Sequence, residues 1–590
     1  MSRNMLFMTL AVAAASCGEL TPAGEGAAGT QEVTAPVPAA APSAELAASA
    51  VTPGYANAQR FLEQATFGPR PVVVGRPVPT ESVEHVLDVG VTAALVEQLD
   101  APTGVFAPTP PRAAPCDGGF PAVLDPGAQF FVAALTGADQ LRLRTMFALS
   151  QILVVSANGV PEIQSTCNSE RRDAMVRYLN ALRAGALGSY RELLEQITLE
   201  PAMGTFLNMA NNVGMGPDGP ITANENFARE LLQLFTLGTN KLNDRGELVD
   251  NAGVVIPAGG KPVPAYDEDD VKAFARTLTG WTYPSPSGCP TTVGGKRTPR
   301  YDGPMIPCQI NHNSAAATLL VYPGAPGGGL TTDKATARKH LEEALDNVFF
   351  HPNLPPFVSK QLIQHLVTSN PSPEYVARVV AKFKDDGSTL HRRGNLRVVI
   401  RTILMDPEAR APTAFASYGR LRAPAELITR VLRALAVTVD TSAGKDPGSY
   451  VNTHSAALGQ SVPRPPSVFS YYPPDQPAPG STLVGPEFGL LDTSTITQRA
   501  SFLNTLLHTA AFENNGVSIA DGLALLPATA AEQVDWLDQH LLHGTMSTGA
   551  AGLRTTLTEA LADTRSAGVE AKKRLALFLT ILSPEFQIQR

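Results

Sequence analysis

Apolar residues recur at helical spacing along most of the chain after residue 54. In residues 224–238, for example, Phe227, Leu231 and Phe235 repeat every four positions, which is typical of a helix that buries one face. Similar stretches follow as far as the last residues, and the 49 glycines and 50 prolines of the chain point to long loops between them. The pattern predicts a mainly α fold, a multi-helix globular array with long Gly/Pro-rich loops and a minor β-hairpin.

The same stretch carries a polar cluster. On a helix, Glu225 and Arg229 lie on one face with Asn226 and Glu230 beside them. One interpretation is an ion pair that stabilises an exposed helix by about 0.2–0.5 kcal/mol. The other is that Arg229 neutralises one carboxylate and leaves Glu225 or Glu230 for proton transfer, metal or substrate. Glu225, Arg229 and Glu230 are therefore candidate catalytic residues, and Asn226 is a candidate binding residue.

Two further polar features are candidates for chemistry. Acidic residues 267–270 precede a predicted helix, where they interact favourably with the helix dipole. Clustered carboxylates also bind hard cations, so Asp269 and Asp270 are candidate ligands of a divalent cation, although the EF-hand spacing is missing. His312 lies in the long loop 282–331 and is either a packing residue or a catalytic acid.

Candidate binding residues also lie outside the polar cluster. Asn208 follows a helix break at a Pro and a Gly, and it either supports a turn or offers its amide to a ligand. Residues 463–480 are rich in proline and aromatic side chains, too apolar for a free linker. We expect Phe469, Tyr471 and Tyr472 to hold this segment over a helical surface or to line a groove.

The N-terminus has the features of an export signal. Arg3 precedes an apolar run at residues 5–15, and small residues lead to Cys17, so residues 1–16 are predicted to be a signal peptide, too short to span a membrane. Residues 14–17 resemble the bacterial lipobox, in which lipid is attached to the Cys, except that Ala14 replaces the usual Leu. We expect an envelope lipoprotein, on the periplasmic side or in the outer membrane, that contacts the membrane through lipid at Cys17. Ordinary cleavage to a secreted or periplasmic soluble protein is the alternative.

Residues 17–53 then contain almost no large apolar residue, which predicts a disordered tether carrying the lipidated cysteine. Two regions follow: a main helical domain over residues 54–410, with the candidate polar site, and a C-terminal helical subdomain over residues 411–590 that packs on the first. The net charge of -8 and the absence of a basic tract argue against nucleic acid as a partner.

The remaining cysteines agree with export. Cys116, Cys167, Cys289 and Cys308 are an even number, as expected in an oxidising compartment. Of the three possible connectivities we favour the local one, in which Cys289 bonds Cys308 and Cys116 bonds Cys167. A zinc site is the rival interpretation, but no C-x-x-C spacing supports it.

Eight segments together carry a family pattern: RFLEQATFGP at 60–69, LRLRTMFALSQILVVS at 141–156, YRELLEQITLEPAMGTFLN at 190–208, ENFARELLQLFTLG at 225–238, DVKAFARTLTGWTY at 270–283, FVSKQLIQHLVTSNPSPEYVARV at 357–379, PPSVFSYYPPD at 465–475 and SPEFQIQR at 583–590. In this order they resemble a large bacterial family of exported proteins known only as domain of unknown function 1800. The resemblance implies a helical, exported protein and no particular reaction. The family tends to have His-Asp where this chain has His312 and Asn313, which implies a binding role for the pair instead of an obligatory acid–base dyad.

Two functions remain open. Nucleophile-elbow, zinc-protease, P-loop, haem and dinucleotide motifs are all missing, so the first hypothesis is an exported, lipid-anchored helical protein that binds a partner protein or an envelope polymer. The alternative is a metal-assisted or acid–base hydrolase that uses a Glu/Arg/Asp/His cluster. Such an enzyme requires Glu225, Arg229, Asp270 and His312 to converge on one cavity.

Overall fold

Helices are the main elements of the computed structural model, which describes residues 53–108, 125–161, 170–410, 417–563 and 568–590. Of these described residues, 52% are helical, and they form 24 α-helices. The first ten are α1 Pro53–Ala65, α2 Val83–Val89, α3 Val91–Asp100, α4 Pro126–Thr136, α5 Gln140–Ser150, α6 Glu170–Gly185, α7 Tyr190–Leu199, α8 Pro201–Phe206, α9 Asn226–Glu230 and α10 Glu268–Thr277.

The later helices continue to the C-terminus. They are α11 Ala337–Phe350, α12 Leu354–Leu366, α13 Pro373–Lys384, α14 Leu396–Met405, α15 Pro407–Arg410, α16 Pro424–Ala434, α17 Pro447–Ala457, α18 Thr493–His508, α19 Ala511–Asn514, α20 Ala520–Leu525, α21 Ala530–Leu541, α22 Leu553–Asp563, α23 Val569–Leu582 and α24 Pro584–Gln587. Short 3₁₀ turns occur at Ala157–Gly159, Gln309–Asn311, Pro326–Gly329 and Pro486–Leu490, and a π-helix spans Leu231–Thr236.

The strands are two residues long and form antiparallel pairs. The pairs are β1 Met215–Gly216 with β2 Gly219–Pro220, β3 Trp281–Thr282 with β4 Ile306–Pro307, β5 Arg420–Leu421 with β8 Ile588–Gln589, and β6 Thr438–Val439 with β7 Val517–Ser518. The expected mainly α fold with minor hairpins is thereby confirmed. The β5–β8 pair joins residues far apart in the sequence, because it aligns Arg420 with Gln589.

Helix starts follow the local capping chemistry. The Ser189 hydroxyl accepts a hydrogen bond from the Glu192 amide at the start of α7, and Ser372 does the same for Tyr375 at the start of α13. Such caps satisfy amide groups that have no partner within the helix. The placement of these helices is therefore a local property of the sequence.

Helix α16 lies at the centre of the packing, and every residue from Pro424 to Ala434 is buried. A helix with that environment is usually apolar on all sides, but this one carries Glu426, Arg430 and Arg433. Each of the three makes polar contacts inside the protein: Arg433, for example, donates to the carbonyl of Gly68 at 2.6 Å and to that of Leu135 at 3.1 Å. The core is therefore held partly by polar contacts between distant segments.

The described residues belong to one compact unit that extends over residues 48–590. The proposed boundary at residue 410 between two helical regions stays a prediction. The predicted signal peptide and the predicted tether, residues 1–16 and 17–53, lie outside the described residues except for Pro53.

None of the helices in the described part of the chain has both the length and the apolarity needed to cross a membrane.

Candidate functional site

The helix predicted at residues 224–238 changes its hydrogen-bonding pattern halfway. Helix α9 ends at Glu230, and the backbone then forms a π-helix in which the Thr236 hydroxyl donates to the Leu231 carbonyl. This wider turn rotates Thr236 into the core, where it is fully buried. The polar face is therefore shorter than an uninterrupted α-helix would give. π-Helical turns within helices are frequent at functional sites.

Arg229 forms the centre of an ion-paired surface cluster. Its guanidinium donates to Glu225 at 2.9 Å and to both carboxylate oxygens of Glu268, at 2.9 and 3.1 Å. The Arg229 side chain is 38% exposed, and the hydrogen bonds with Glu268 raise the pKa of Arg229. Glu225 and Arg229 thus meet as the sequence predicted, with Glu268 as a third member that the spacing did not reveal, and all three contact solvent.

Glu230 has a different environment from its neighbours. Its side chain is buried, and Oε2 has no hydrogen-bond partner. Burial raises the pKa of this carboxyl group, and Arg229 only partly opposes that effect. Tyr266 lies close enough for its hydroxyl to respond to Glu230, although burial is the main reason why the pKa of Tyr266 is raised to about 12. The environment of Glu230 therefore favours the protonated form of its carboxyl group more than water does.

Asp269 and Asp270 belong to the start of α10. Asp267 accepts hydrogen bonds from the backbone amides of Asp269 and Asp270, and the Asp270 carboxylate accepts one from the amide of Asp267 at 2.9 Å. This reciprocal capping box accounts for two of the acidic residues. Asp269 is 92% exposed and pairs with Lys272 at 3.3 Å. Within the described residues, no group of three or more His, Cys, Asp or Glu side chains is arranged to hold a metal ion.

His312 lies in the interior and is paired with another histidine. Its Nδ1 lies 2.9 Å from the Thr279 carbonyl, and its Nε2 lies 2.9 Å from Nδ1 of His340. The His340 Nε2 in turn lies 2.8 Å from the carbonyl of Thr332. Burial lowers the pKa of His312 to about 4. The contacts of His312 are therefore with the core, and none of them is with Glu225, Arg229 or Asp270.

An open cleft lies immediately before α9, with a volume of 480 Å³. We call it the amide cleft because four asparagines contribute to its walls. Its lining residues are Asn208, Ala210, Asn211, Asn212, Val213, Ile221, Thr222, Asn224, Gly294 and Lys296.

Most amides of the cleft are fixed by hydrogen bonds. Asn212 bonds both ends of its side chain to the backbone of Asn224, at 2.8 and 2.9 Å. Asn211 is held by Arg297 and Thr282. Asn226 donates to the Asn208 side chain at 3.1 Å. The two candidate binding asparagines, Asn208 and Asn226, are thus brought together at the edge of the cleft.

The aromatic segment 463–480 packs on the protein as expected for Tyr471 and Tyr472, both of which are buried. The Tyr471 hydroxyl donates to the Ser461 carbonyl at 2.7 Å. Phe469 is 43% exposed. Tyr472 lines a small internal cavity that the amide cleft does not share.

Buried ion pairs between distant segments are the main polar feature that the sequence did not reveal. Glu63 of α1 accepts from Arg422 at 2.8 Å and from Arg430 at 2.6 Å. Glu426 accepts from both Arg144 and Arg420, and Arg420 also donates to Glu487. Arginine at helical spacing in an apolar stretch is a weak signal for such pairs, because it does not identify the acidic partner.

Cys289 and Cys308 form the local disulfide that the sequence favoured, with their Cα atoms 5.4 Å apart. The other predicted pair, Cys116 and Cys167, lies outside the described residues, as does the candidate lipidation site Cys17.

Among known proteins, a family model described as "Protein of unknown function (DUF1800)" matches residues 60–588. No curated protein gives a significant match to the chain, and no solved structure does.

Proposed function

The chain belongs to the DUF1800 family, whose description assigns no function, and we propose that this member is an exported, lipid-anchored protein of the cell envelope that binds an envelope polymer in its amide cleft. The single observation that carries the binding role is the open cleft of 480 Å³. Concave surfaces of that size with convergent polar groups are the usual form of ligand sites.

Two amide groups of the cleft remain available to a ligand. Asn208 and Asn224 are both exposed, and each uses its side-chain oxygen to accept a hydrogen bond from Asn226. Neither Nδ2 group donates a hydrogen bond within the described residues, so the cleft has two amide donors that are held in place and free to bind a ligand. Thr222, which is also exposed, adds a hydroxyl group. Donors that are fixed before binding lose little conformational freedom when a ligand arrives.

The chemistry of the lining favours a polymer over a folded protein partner. Protein interfaces derive most of their affinity from buried Trp, Tyr and Arg side chains, and the lining of the amide cleft contains asparagine, small apolar residues and Lys296 instead. Amide donors suit the hydroxyl and carbonyl oxygens of a glycan or peptide chain, and Lys296 suits a carboxylate. Peptidoglycan combines these groups, and we therefore choose it as the polymer.

The N-terminal sequence supports the location that this role requires. The charged start, the apolar run and Cys17 have the order of a signal peptide followed by a lipidation site. Lipid at Cys17 would place the protein at a membrane surface, and the segment 17–53 would connect it to the helical unit. Envelope polymer is then within reach of the cleft.

The hydrolase alternative lacks the convergence that it requires. Asp270 caps α10, His312 is engaged by Thr279 and His340, and Arg229 is shared between two surface carboxylates. Burial raises the pKa of Glu230 and that of Asp270, but these two carboxyl groups do not meet His312 at a common site. A binding protein needs no such convergence, and for that reason we favour it.

Co-sedimentation of the mature protein with purified peptidoglycan sacculi tests the proposal. The double variant Asn208→Asp, Asn224→Asp removes the two free amide donors and keeps both oxygens that accept from Asn226. We expect the wild type to pellet with sacculi and the double variant to lose about tenfold or more in affinity, the equivalent of one hydrogen bond or more.

Asn251→Asp is the matched control, because Asn251 is exposed and its oxygen accepts from Lys241 at 2.7 Å. This variant adds negative charge at a surface position outside the amide cleft and should bind sacculi like the wild type. Equal binding by the wild type and the double variant would remove the amide cleft as the binding site, and absence of wild-type binding would remove peptidoglycan as the ligand.

A further inference from the structure

A second polar site lies beneath the aromatic segment, and we propose that it binds a hydroxyl group of a small neutral polyol or sugar. This inference does not depend on the proposed function, because its residues are different from those of the amide cleft. We call the site the buried chamber. It is lined by Gln151, Gln361, Gln364, His365, Ser470, Tyr472, Pro474, Pro486 and Glu487.

The chamber joins four parts of the fold. Helix α12 contributes Gln361, Gln364 and His365, and Gln151 follows directly after α5. The 3₁₀ turn Pro486–Leu490 contributes its first two residues, and the aromatic segment covers the chamber. The space open to the centre of a water-sized sphere is about 20 Å³, somewhat more than one water requires. Pro474 is only partly buried, so the outer wall of the chamber lies near the protein surface.

Polar atoms without partners line the chamber. Each of them has almost no contact with solvent and no hydrogen bond in the structure, although buried polar groups are nearly always paired. The atoms are Gln151 Oε1, Gln361 Nε2, Ser470 Oγ, Tyr472 OH and Glu487 Oε2. So many unsatisfied groups around one cavity indicate that the cavity is built for an occupant that makes hydrogen bonds.

The charges around the chamber are already balanced. Glu487 uses Oε1 to accept two hydrogen bonds from Arg420, at 2.6 and 3.0 Å. Glu426 accepts from the same Arg420 and from Arg144. Two guanidinium groups thus neutralise two carboxylates. The walls of the chamber therefore carry no net charge that would attract an ion. The balance favours a neutral occupant over a metal ion or an anion.

The free groups include both donors and acceptors. Gln361 offers an N–H, Gln151 and Glu487 offer oxygens, and the hydroxyls of Ser470 and Tyr472 act in either role. A hydroxyl group, which donates and accepts at one atom, fits this mixture. The carbon atoms of Tyr472, Pro474 and Pro486, which also line the chamber, provide apolar contact for the C–H groups that accompany the hydroxyls of a polyol or sugar.

The backbone at Ser470 agrees with a binding role. Ser470 has a φ of 64°, a left-handed conformation that non-glycine residues seldom adopt and that concentrates at functional sites. Its amide donates to the Ser467 carbonyl at 3.2 Å in a tight turn, and its hydroxyl lines the chamber. A strained residue with an unpartnered hydroxyl over a polar cavity is consistent with a position selected for contact with a ligand.

The test measures binding of glycerol and of glucose to the full-length mature protein by saturation-transfer NMR at millimolar ligand concentration. Gln361→Met removes the free N–H with little change in volume, and Ser470→Gly removes the hydroxyl while relieving the unfavourable φ. We expect saturable binding of at least one of the two ligands to the wild type and about tenfold weaker binding to each variant.

Asn251→Asp serves as the control, because Asn251 is exposed and lines neither the buried chamber nor the amide cleft, so this variant should leave binding of the two small ligands unchanged. The use of Ser470→Gly protects the test against misfolding, since glycine accepts a positive φ without strain. Binding that is equal in the wild type and both chamber variants would overturn the proposal. Absence of saturable binding of either ligand to the wild type would also overturn it and would identify the chamber as a site for ordered water only.

Discussion

Replacing the buried carboxylate of Glu63 should weaken the fold more than replacing any exposed one. Glu63 lies on α1, its side chain is fully buried, and it accepts from Arg422, which precedes α16, and from Arg430, which lies within that helix. His543 Nε2 lies 3.0 Å from the same carboxylate. These partners hold the pKa of Glu63 well below its usual range against the effect of burial. The Glu63→Gln variant removes the charge and keeps the shape.

The magnitude follows from what the variant leaves behind. Two guanidinium groups remain buried, and the amide offers one oxygen to them instead of a carboxylate. Removing one partner of a buried ion pair destabilises a protein by about 3–5 kcal/mol. Glu225→Gln makes the same chemical change in an exposed pair, where the loss should stay below about 1 kcal/mol.

Urea unfolding followed by tryptophan fluorescence measures both variants. Trp281 is buried and Trp536 stacks on His540, so unfolding should change the environment of both. We expect the unfolding midpoint of Glu63→Gln to fall clearly below those of the wild type and Glu225→Gln, with an unchanged urea dependence. Because the folded-state pKa of Glu63 is lowered, its share of stability is lost as the pH falls below 4.5, and the variant should lack that part of the acid dependence. Equal midpoints for the two variants would refute the reasoning.

Three other predictions concern histidines, cysteines and the membrane anchor. Burial lowers the pKa of His351 from 6.5 to about 4 and that of His365 to about 3. As the pH falls below 6.5, these histidines therefore bind protons in the unfolded chain before they do so in the folded protein. Each histidine should reduce the unfolding free energy by about 3 kcal/mol or more by the time the pH reaches its folded pKa. Urea unfolding measured at several pH values between 6.5 and the folded pKa of each histidine tests this loss. An unfolding free energy that does not change over this pH range would contradict it. Replacing Cys289 and Cys308 together by alanine should lower stability by about 3 kcal/mol, as expected for a closed loop of this length; an unchanged unfolding midpoint under oxidising conditions would contradict this. Cys17→Ser should move the protein from the detergent phase to the aqueous phase in a phase-separation assay, whereas lipoprotein status would be disproved by equal partitioning of variant and wild type.

Helices with clear local signals could be predicted from the sequence alone. Helix α7 is an example, because Ser189 caps its start and apolar residues repeat on one face. The docking of the C-terminal tail was also predictable, and Phe586 is fully buried. In contrast, helix α4 follows a proline-rich stretch and begins with Pro126, and its start is hard to predict because proline at a helix start resembles proline in a loop.

The candidate site was predictable only where its residues are neighbours in the sequence. The Glu225–Arg229 pair follows from their spacing, whereas Glu268 comes from another helix and has no local signal. The change from α- to π-helix at Leu231 is accompanied by a hydrogen bond from the Thr236 hydroxyl to the Leu231 carbonyl, and the helical spacing of the sequence gives no sign of it. The ion pair between Arg144 and Glu426 joins positions 282 residues apart, a separation that no periodicity in the sequence describes.

The binding role of the amide cleft can be measured most directly by hydrogen–deuterium exchange of the mature protein with and without soluble peptidoglycan fragments. We predict slower exchange on ligand addition in residues 208–224 and 294–297, which surround the cleft, and unchanged exchange in α13 and α18. Protection confined to other segments, or no protection at any concentration of fragments, would contradict the proposed site.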